Sequence, residues 1–253
     1  MVKKFLKQII SKLGFSGPPY IFDVGMHEGQ DTEFYLKKGY HVVAIEANPT
    51  LVEQTRERFA EEIKSGHLTI EHCGITEKSG DFTFYLNETH SEWSSFVKEI
   101  GIRGGQYKEI QVPCRPLREI LKRYPCPYYL KIDIEGHDYI ALSAIRGRKK
   151  KPKHISVENG SNELLECMRA EGYSQFKFIN QGLVHEQVCP EPAKEGKYVD
   201  HTFPYGASGL FGEEAPGAWV DYPTICKMVN DYWNIPDRDA VKHGWFDVHA
   251  KRD

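Results

Sequence analysis

The sequence predicts a doubly wound α/β fold built on a mostly parallel sheet. Three observations predict it: short apolar runs alternate with helical segments, the first strand ends in a glycine loop, and acidic residues follow several strands. Strands that alternate with helices pair in parallel through right-handed crossovers. With 253 residues, the chain is long enough for one large domain of this kind.

The predicted core elements follow from apolar runs, which indicate buried strands, and from helical periodicity between them. The predicted strands are Tyr20–Val24, His41–Ile45, Leu68–Cys73, Tyr128–Asp133, His154–Glu158 and Phe176–Ile179. The predicted helices are Asp31–Lys38, a helix opened by Asn48-Pro49, Leu117–Lys122, His137–Ile145 and Asn162–Glu171.

Two regions depart from this alternation. Phe82–Leu86 and Glu109–Pro113 are short strand patterns that predict a hairpin inserted into the core. Residues from 183 onward are rich in proline, glycine and aromatic residues, with one helix near Tyr222–Tyr232. We therefore expect an N-terminal amphipathic helix (1–18), a cofactor-binding core (19–182) and a C-terminal cap on the substrate side (183–253).

Charge and cysteine content indicate which classes of protein and which cellular compartment the chain fits. The chain has 33 Lys and Arg and 36 Asp and Glu residues, a net charge of −3 that does not support a nucleic-acid-binding protein. Its 6 cysteines lack C-x-x-C spacing, which favours reduced thiols in a cytoplasmic protein. No apolar run is long enough to cross a bilayer.

The N-terminal stretch MVKKFLKQIISKLGF places apolar residues on one helical face with lysines around it. A helix packing across the domain is favoured, and weak contact with an anionic membrane surface is the alternative.

The first strand ends in the loop Asp23-Val24-Gly25-Met26-His27-Glu28-Gly29. Gly25 allows a sharp turn, and Gly29 allows a ligand to approach the following helix. The spacing is not the G-x-G-x-x-G of dinucleotide binders, and Asp23 would repel a pyrophosphate. A cofactor with a cationic amino-acid end would accept that carboxylate. An ordinary strand–helix turn is the alternative interpretation.

Glu46 ends the second strand, where a carboxylate binds the ribose diol in nucleoside-cofactor folds. Together with the glycine loop it predicts a nucleoside-cofactor site, without separating NAD from S-adenosylmethionine.

Four ionisable residues follow the Tyr128–Asp133 strand, at the sheet edge where open α/β folds bind ligands: Asp133, Glu135, His137 and Asp138. Helix capping accounts for a carboxylate there but not for the histidine. The ordinary pKa of histidine suits a general base, so His137 is the first candidate, with a solvated helical residue as the alternative.

These motifs, in this order over residues 20–180, resemble the FkbM family of methyltransferases, whose signatures are D-V-G-x-x-x-G, E-x-N-P and L-K-I-D-x-E-G-H. The resemblance implies a Rossmann-like class I methyltransferase fold, S-adenosylmethionine as donor, and O-methylation of a hydroxyl on a sugar or other natural-product acceptor. It assigns the cofactor contacts to Asp23, Gly25, Gly29, Asp31, Glu46 and Asn48, with Asp133 beside the methyl group.

The remaining candidates come from this chain's own residues. His27, within the Met26-His27 pair that replaces the family's common Ala-Asn, and Ser95 join the cofactor-side residues. The catalytic candidates are His137, Asp133 and Glu135. The substrate candidates are Glu158, Asp247 and His249, of which the last two share one face if Trp245–His249 is extended.

A Mg²⁺ site at Asp133, Glu135 and Glu158 is conceivable but not favoured, because such carboxylates more often cap helices or bind ligand hydroxyls. Two other functions stay open: an NAD-dependent oxidoreductase or epimerase, and a non-catalytic nucleoside- or glycan-binding relative. The missing G-x-G-x-x-G counts against the first, and the intact Asp23, Glu46 and Asp133 count against the second. The expected partner is a small-molecule or glycan acceptor, and the oligomeric state stays open.

Overall fold

The computed structural model describes residues 19–235 and 244–253, so the helix predicted at 1–18 lies outside the described residues. No helix in the described part is both long enough and apolar enough to cross a membrane. All six cysteines are free thiols.

The described strands are β1 (Tyr20–Val24), β2 (His41–Glu46), β3 (Leu68–His72), β4 (Gly74–Ile75), β5 (Gly80–Asn87), β6 (Tyr107–Arg115), β7 (Tyr129–Ile132), β8 (His154–Glu158), β9 (Gln175–Asn180) and β10 (Phe246–Lys251). The described helices are α1 (Gln30–Lys37), α2 (Pro49–Arg58), α3 (Ala60–Ser65), α4 (Lys98–Gly101), α5 (Leu117–Leu121), α6 (Asp138–Ser143), α7 (Asn162–Ala170) and α8 (Tyr222–Trp233).

The main sheet has seven strands in the order β3-β2-β1-β7-β8-β10-β9. Its first five strands run parallel to their neighbours, and β10 runs antiparallel to both β8 and β9. The predicted insertion is a three-stranded sheet, β4-β6-β5, in which β5 and β6 form the antiparallel hairpin. The prediction of a mostly parallel, doubly wound α/β sheet with an inserted hairpin is confirmed.

Helices cover one face of the sheet, and α1 shares the other with the C-terminal region. On the first face, apolar residues of α5, α6, α7 and α8 pack against β1, β7 and β8. On the second face, Phe203 and Phe211 pack beside the α1 residue Phe34, and the Phe211 ring stacks on Tyr129 with centroids 4.8 Å apart. The segment around residues 203–211 therefore completes the core.

The predicted boundary at residue 182 needs correction, because it divides the main sheet. β10 lies between β8 and β9, and Phe246, Val248 and Ala250 are fully buried. The sequence of β10 alternates apolar and polar residues, a pattern typical of a half-exposed strand. Its polar members, Asp247 and His249, are buried as well, because they face polar side chains of neighbouring strands. The alternating residues of β10 thus give the strand one apolar face and one polar face, and both faces are buried.

Candidate active site

A cavity of about 870 Å³ opens at the carboxyl edge of the main sheet. Gly25, Glu46, Asp133 and Glu158, which follow or end β1, β2, β7 and β8, all line it. The parallel strands bring these residues to one edge, where open α/β sheets bind ligands. The volume lies in the range of pockets for cofactors and small molecules.

The glycine loop fits tightly against the loop that follows β7. Gly25 has a φ of 90°, and a Cβ atom placed on it would lie 1.7 Å from the carbonyl oxygen of Asp133. Only glycine fits that position. Gly29 has a φ of 82°, and a Cβ there would lie 2.8 Å from the Phe59 ring. Gly29 therefore serves the packing of α1 against the α2–α3 junction.

Glu46 is held in a fixed orientation by backbone donors. The His27 N–H donates to Oε2 at 2.9 Å, and the Asn48 N–H donates to Oε1 at 2.8 Å. Burial raises the pKa of Glu46, although these two hydrogen bonds oppose the increase. Asn48 itself caps α2 by accepting from the Thr50 N–H at 3.0 Å. The carboxylate is thus presented to the cavity with acceptor capacity left over.

His27 connects the glycine loop to the opposite wall. Its backbone has a φ of 52°, an uncommon conformation for a residue other than glycine. Its Nε2 atom lies 2.8 Å from Oγ of Ser91, which begins a short 3₁₀ turn. Because both residues line the cavity, this contact closes it on one side.

Lys131 lines the cavity, and no role for it was predicted from the sequence. Its Nζ donates to the Gly25 carbonyl at 2.8 Å and lies 3.3 Å from Asp23 Oδ1 and 3.6 Å from both Asp31 Oδ2 and Asp133 Oδ2. Burial alone would lower the pKa of Lys131, but the three carboxylates outweigh it and raise that pKa. A lysine inside the apolar strand YYLKI was the available signal.

Two of these carboxylates are also bound by their own neighbours. Asp23 accepts from the Thr32 hydroxyl at 2.6 Å. Asp31 accepts from the Ser208 N–H at 2.9 and 3.1 Å, which connects the site to the C-terminal region. Burial raises the pKa of Asp31 to about 6, against the lowering influence of Lys131.

Glu135 lies in the loop between β7 and α6 and lines the cavity. Its φ is 48°, and its carbonyl accepts from the Ser95 hydroxyl at 2.6 Å. Arg103 Nη2 lies 3.3 Å from Oε2. Burial and then the neighbouring Asp133 charge raise the pKa of Glu135 to about 8, although Arg103 opposes them. Ser95 was predicted on the cofactor side, but it does not line the cavity and instead fixes this backbone.

His137, which the sequence predicts as the base, does not line the cavity. Its Nδ1 atom lies 2.9 Å from the Ile75 carbonyl oxygen, and its ring stacks on Phe96 with centroids 5.4 Å apart. The histidine connects the β7–α6 loop to the inserted sheet. Capping of that loop falls to Asp138, which accepts from the N–H groups of Ile134 and Gly136.

The register of the sheet groups the substrate candidates on one face. Glu158 on β8 pairs with Asp247 on β10, and Ser156 pairs with His249 two residues further along. Glu158 lines the cavity, and Asp247 lies directly beside it with 4% exposure. His249 is buried below the cavity, where burial lowers its pKa to about 3. His249 therefore lies behind the residues that line the cavity.

The cavity divides the predicted site residues into two sets. Those that line it are Gly25, His27, Asp31, Glu46, Asp133, Glu135 and Glu158. Those that do not line it are Asp23, Gly29, Asn48, Ser95, His137, Asp247 and His249. Three of the second set contact the first directly: Asn48 donates to Glu46, Ser95 donates to the Glu135 carbonyl, and Asp247 pairs with Glu158. Within residues 19–235 and 244–253, no group of three or more His, Cys, Asp or Glu side chains is arranged to hold a metal ion.

Comparison with known proteins gives matches among methyltransferases. The curated "Probable ribosomal RNA small subunit methyltransferase A" of Methanospirillum hungatei is 36% identical over 67 residues, which is 26% of either chain. The methyltransferase FkbM structure from Methylobacillus flagellatus shares 19% identity with a TM-score of 0.43, over 65% of this chain and 40% of that one. A SAM-dependent methyltransferase structure from Archaeoglobus fulgidus shares 13% identity with a TM-score of 0.41, over 99% of this chain and 94% of that one.

This chain thus spans about a quarter of the curated relative and less than half of the first of these structures. The family model of the methyltransferase FkbM domain matches residues 23–186. That match exceeds half of the chain and includes the glycine loop, Glu46 and the loop after β7. The chain belongs to the FkbM methyltransferase family.

Proposed function

We propose that this protein transfers the methyl group of S-adenosylmethionine to a hydroxyl of a sugar or other natural-product acceptor. The observation that carries the proposal is the meeting of Gly25, Glu46 and Asp133 at one cavity. Family membership supports the donor, and the acidic residues next to Asp133 support proton removal from a hydroxyl.

The charge of the cavity suits this donor. Among the described residues that line the cavity, the acidic ones outnumber the basic ones by seven to two. The acidic ones are Glu28, Asp31, Glu46, Glu92, Asp133, Glu135 and Glu158, and the basic ones are Arg103 and Lys131. Such a site favours a cationic ligand and repels the pyrophosphate of NAD. The charge therefore argues against the oxidoreductase alternative.

The residues present fit the donor, because the Glu46 carboxylate, the glycine loop at Gly25 and the Asp133 carboxylate meet at one edge of the sheet. Glu46 would bind the ribose hydroxyls with its free lone pairs, and the loop at Gly25 would lie against the amino-acid end. When bound, S-adenosylmethionine would supply an electrophilic methyl group, whose bond to sulfur breaks as its bond to the acceptor oxygen forms. Lys131 keeps Asp133 and the Gly25 loop in place.

Glu135 is the group that we assign to take the proton of the acceptor hydroxyl. It lines the cavity two residues after Asp133, and its backbone is fixed through Ser95. A pKa near 8 makes its carboxylate a stronger base than an ordinary glutamate. His137 then acts as a positioning residue for the same loop.

Replacing Glu135 tests this assignment. Glu135→Gln removes the base, so we expect kcat to fall by about 10²–10⁴-fold, while affinity for S-adenosylhomocysteine changes little. Wild-type kcat should rise with pH through about 8, because Glu135 must lose its proton. The measurement is S-adenosylhomocysteine production with a panel of hydroxylated sugars and natural products.

The control is Glu163→Gln on the exposed side of α7, which should behave as wild type. Unchanged kcat in Glu135→Gln would exclude Glu135 as the base. Absence of binding to both S-adenosylmethionine and S-adenosylhomocysteine would contradict methyl transfer itself.

A further inference from the structure

Two carboxylates lie directly opposite each other at the far side of the cavity. Glu158 on β8 and Asp247 on β10 are register partners in an antiparallel pair, so their side chains share one face. Like charges in this arrangement repel each other. Asp247 is only 4% exposed, and Glu158 lines the cavity beside it.

No basic side chain of the described residues forms an ion pair with either carboxylate, although Lys131 opposes the rise in the pKa of Asp247. Lys131 is shared among Asp23, Asp31 and Asp133, and Arg103 contacts Glu135. Over the described ranges, neither the Glu158 nor the Asp247 side chain has a hydrogen-bond or ion-pair partner. Burial, followed by nearby carboxylates, raises the pKa of both groups. A cation from outside the chain would relieve this repulsion.

The pair lies away from the part of the cavity assigned to the donor ribose. Glu46 ends β2, and β1 and β7 lie between it and β8. Three strand spacings place the two glutamates about 14 Å apart along the sheet edge. Glu158 and Asp247 are therefore on the acceptor side.

Two aromatic residues from the C-terminal region cover the same side. Tyr205 and Trp245 both line the cavity, and their rings meet edge to face with centroids 5.3 Å apart. Tyr205 is 78% exposed, so its ring has a free face. Aromatic faces attract ammonium groups and cover apolar carbon atoms.

We propose that Glu158 contacts a protonated amine of the acceptor, with the buried Asp247 beside it adding negative charge, and that Tyr205 and Trp245 cover the carbon atoms around the amine. The acceptor is then an amine-bearing hydroxylated compound of the amino-sugar class, and its amine anchors it while a hydroxyl reacts. This inference rests on the proposed function for the use of the cavity, but its test does not require turnover.

The experiment compares glucosamine with glucose, its uncharged match, by isothermal titration calorimetry at pH 7. Both sugars are titrated into the full chain, free and saturated with S-adenosylhomocysteine. Wild type should bind glucosamine at least tenfold more tightly than glucose. Binding should also release protons, detected in buffers with different ionisation enthalpies, because the ammonium lowers the pKa of the carboxylates.

The variants are Glu158→Gln and Asp247→Asn, with Glu163→Gln as the exposed control. Glu158→Gln should abolish the preference and the proton release while leaving S-adenosylhomocysteine affinity within about threefold of wild type. Asp247→Asn should weaken both, with folding checked by circular dichroism. Equal affinity for the two sugars, no glucosamine binding, or a preference that survives Glu158→Gln would overturn the proposal. If the wild-type protein did not bind S-adenosylhomocysteine, that result would instead contradict the proposed function.

Discussion

Gly25 and Gly66 have similar backbones in different surroundings, with φ of 90° and 80°. A Cβ on Gly25 would lie 1.7 Å from the Asp133 carbonyl oxygen, whereas a Cβ on Gly66 would meet nothing within 4 Å. A substitution at Gly66 therefore measures the cost of backbone strain alone. A substitution at Gly25 adds the cost of pushing the glycine loop away from the Asp133 loop.

Gly66→Ala should lose only the strain of a left-handed residue, about 1–2 kcal/mol of unfolding free energy. Gly25→Ala should lose more unfolding free energy than Gly66→Ala. Its affinity for S-adenosylhomocysteine should also fall, because the added methyl group pushes the glycine loop away from the loop that contains Asp133. Urea unfolding and calorimetry measure the two quantities. Equal losses in both variants would show that the loop contact is unimportant.

Sequence position located the site, but it did not determine which side chains reach the cavity. Glu46 and Asp133 could be predicted because each comes at the end of a buried strand. His137 and Ser95 could not, because their roles depend on contacts with the inserted sheet and with the Glu135 carbonyl. Those contacts join residues far apart in the chain.

β7 is the element that holds the site together, through Lys131. This side chain connects β7 to β1 and its loop, to α1, and to the start of the β7–α6 loop. Its ammonium group separates three buried or half-buried carboxylates that would otherwise repel one another.

Lys131→Met should destabilise the protein by roughly 3–5 kcal/mol at pH 8, because it leaves buried charges unpaired. Without the ammonium, the native carboxylates have higher pKa values and bind more protons than the unfolded chain. Stability of the variant should therefore fall as pH rises from 5 to 8. Urea unfolding at each pH measures this against the exposed control Lys122→Met. A deficit that does not grow with pH would contradict the role of Lys131.

At the scale of the whole molecule, the C-terminus completes the sheet. β10 pairs with β8 and β9, and its apolar residues belong to the main core. Removing it would leave β9 without a partner in the main sheet and β8 paired only with β7. It would also expose side chains that each contribute about 1.5–3 kcal/mol by burial.

A chain that ends at Trp245 should therefore lose cooperative unfolding. A control chain that ends at Lys251 keeps β10 and should unfold as the full chain does. Thermal unfolding followed by circular dichroism distinguishes them. A cooperative transition in the shorter chain would show that β10 is dispensable.

The parallel part of the fold was predictable because its strands are apolar runs separated by helices. The position of β10 was not, since Asp247 and His249 gave it the pattern of a half-exposed strand. Their burial depends on the position of β10 between β8 and β9, which only the folded sheet provides.

Calorimetry of the full chain with S-adenosylhomocysteine and with NAD tests the central claim, that the acidic cavity beside Glu46 binds an adenosyl sulfonium donor. Wild type should bind S-adenosylhomocysteine and not NAD, and Glu46→Gln should weaken that binding by about 10–100-fold through loss of charged hydrogen bonds. Binding of NAD alone, or unchanged affinity in Glu46→Gln, would contradict the account.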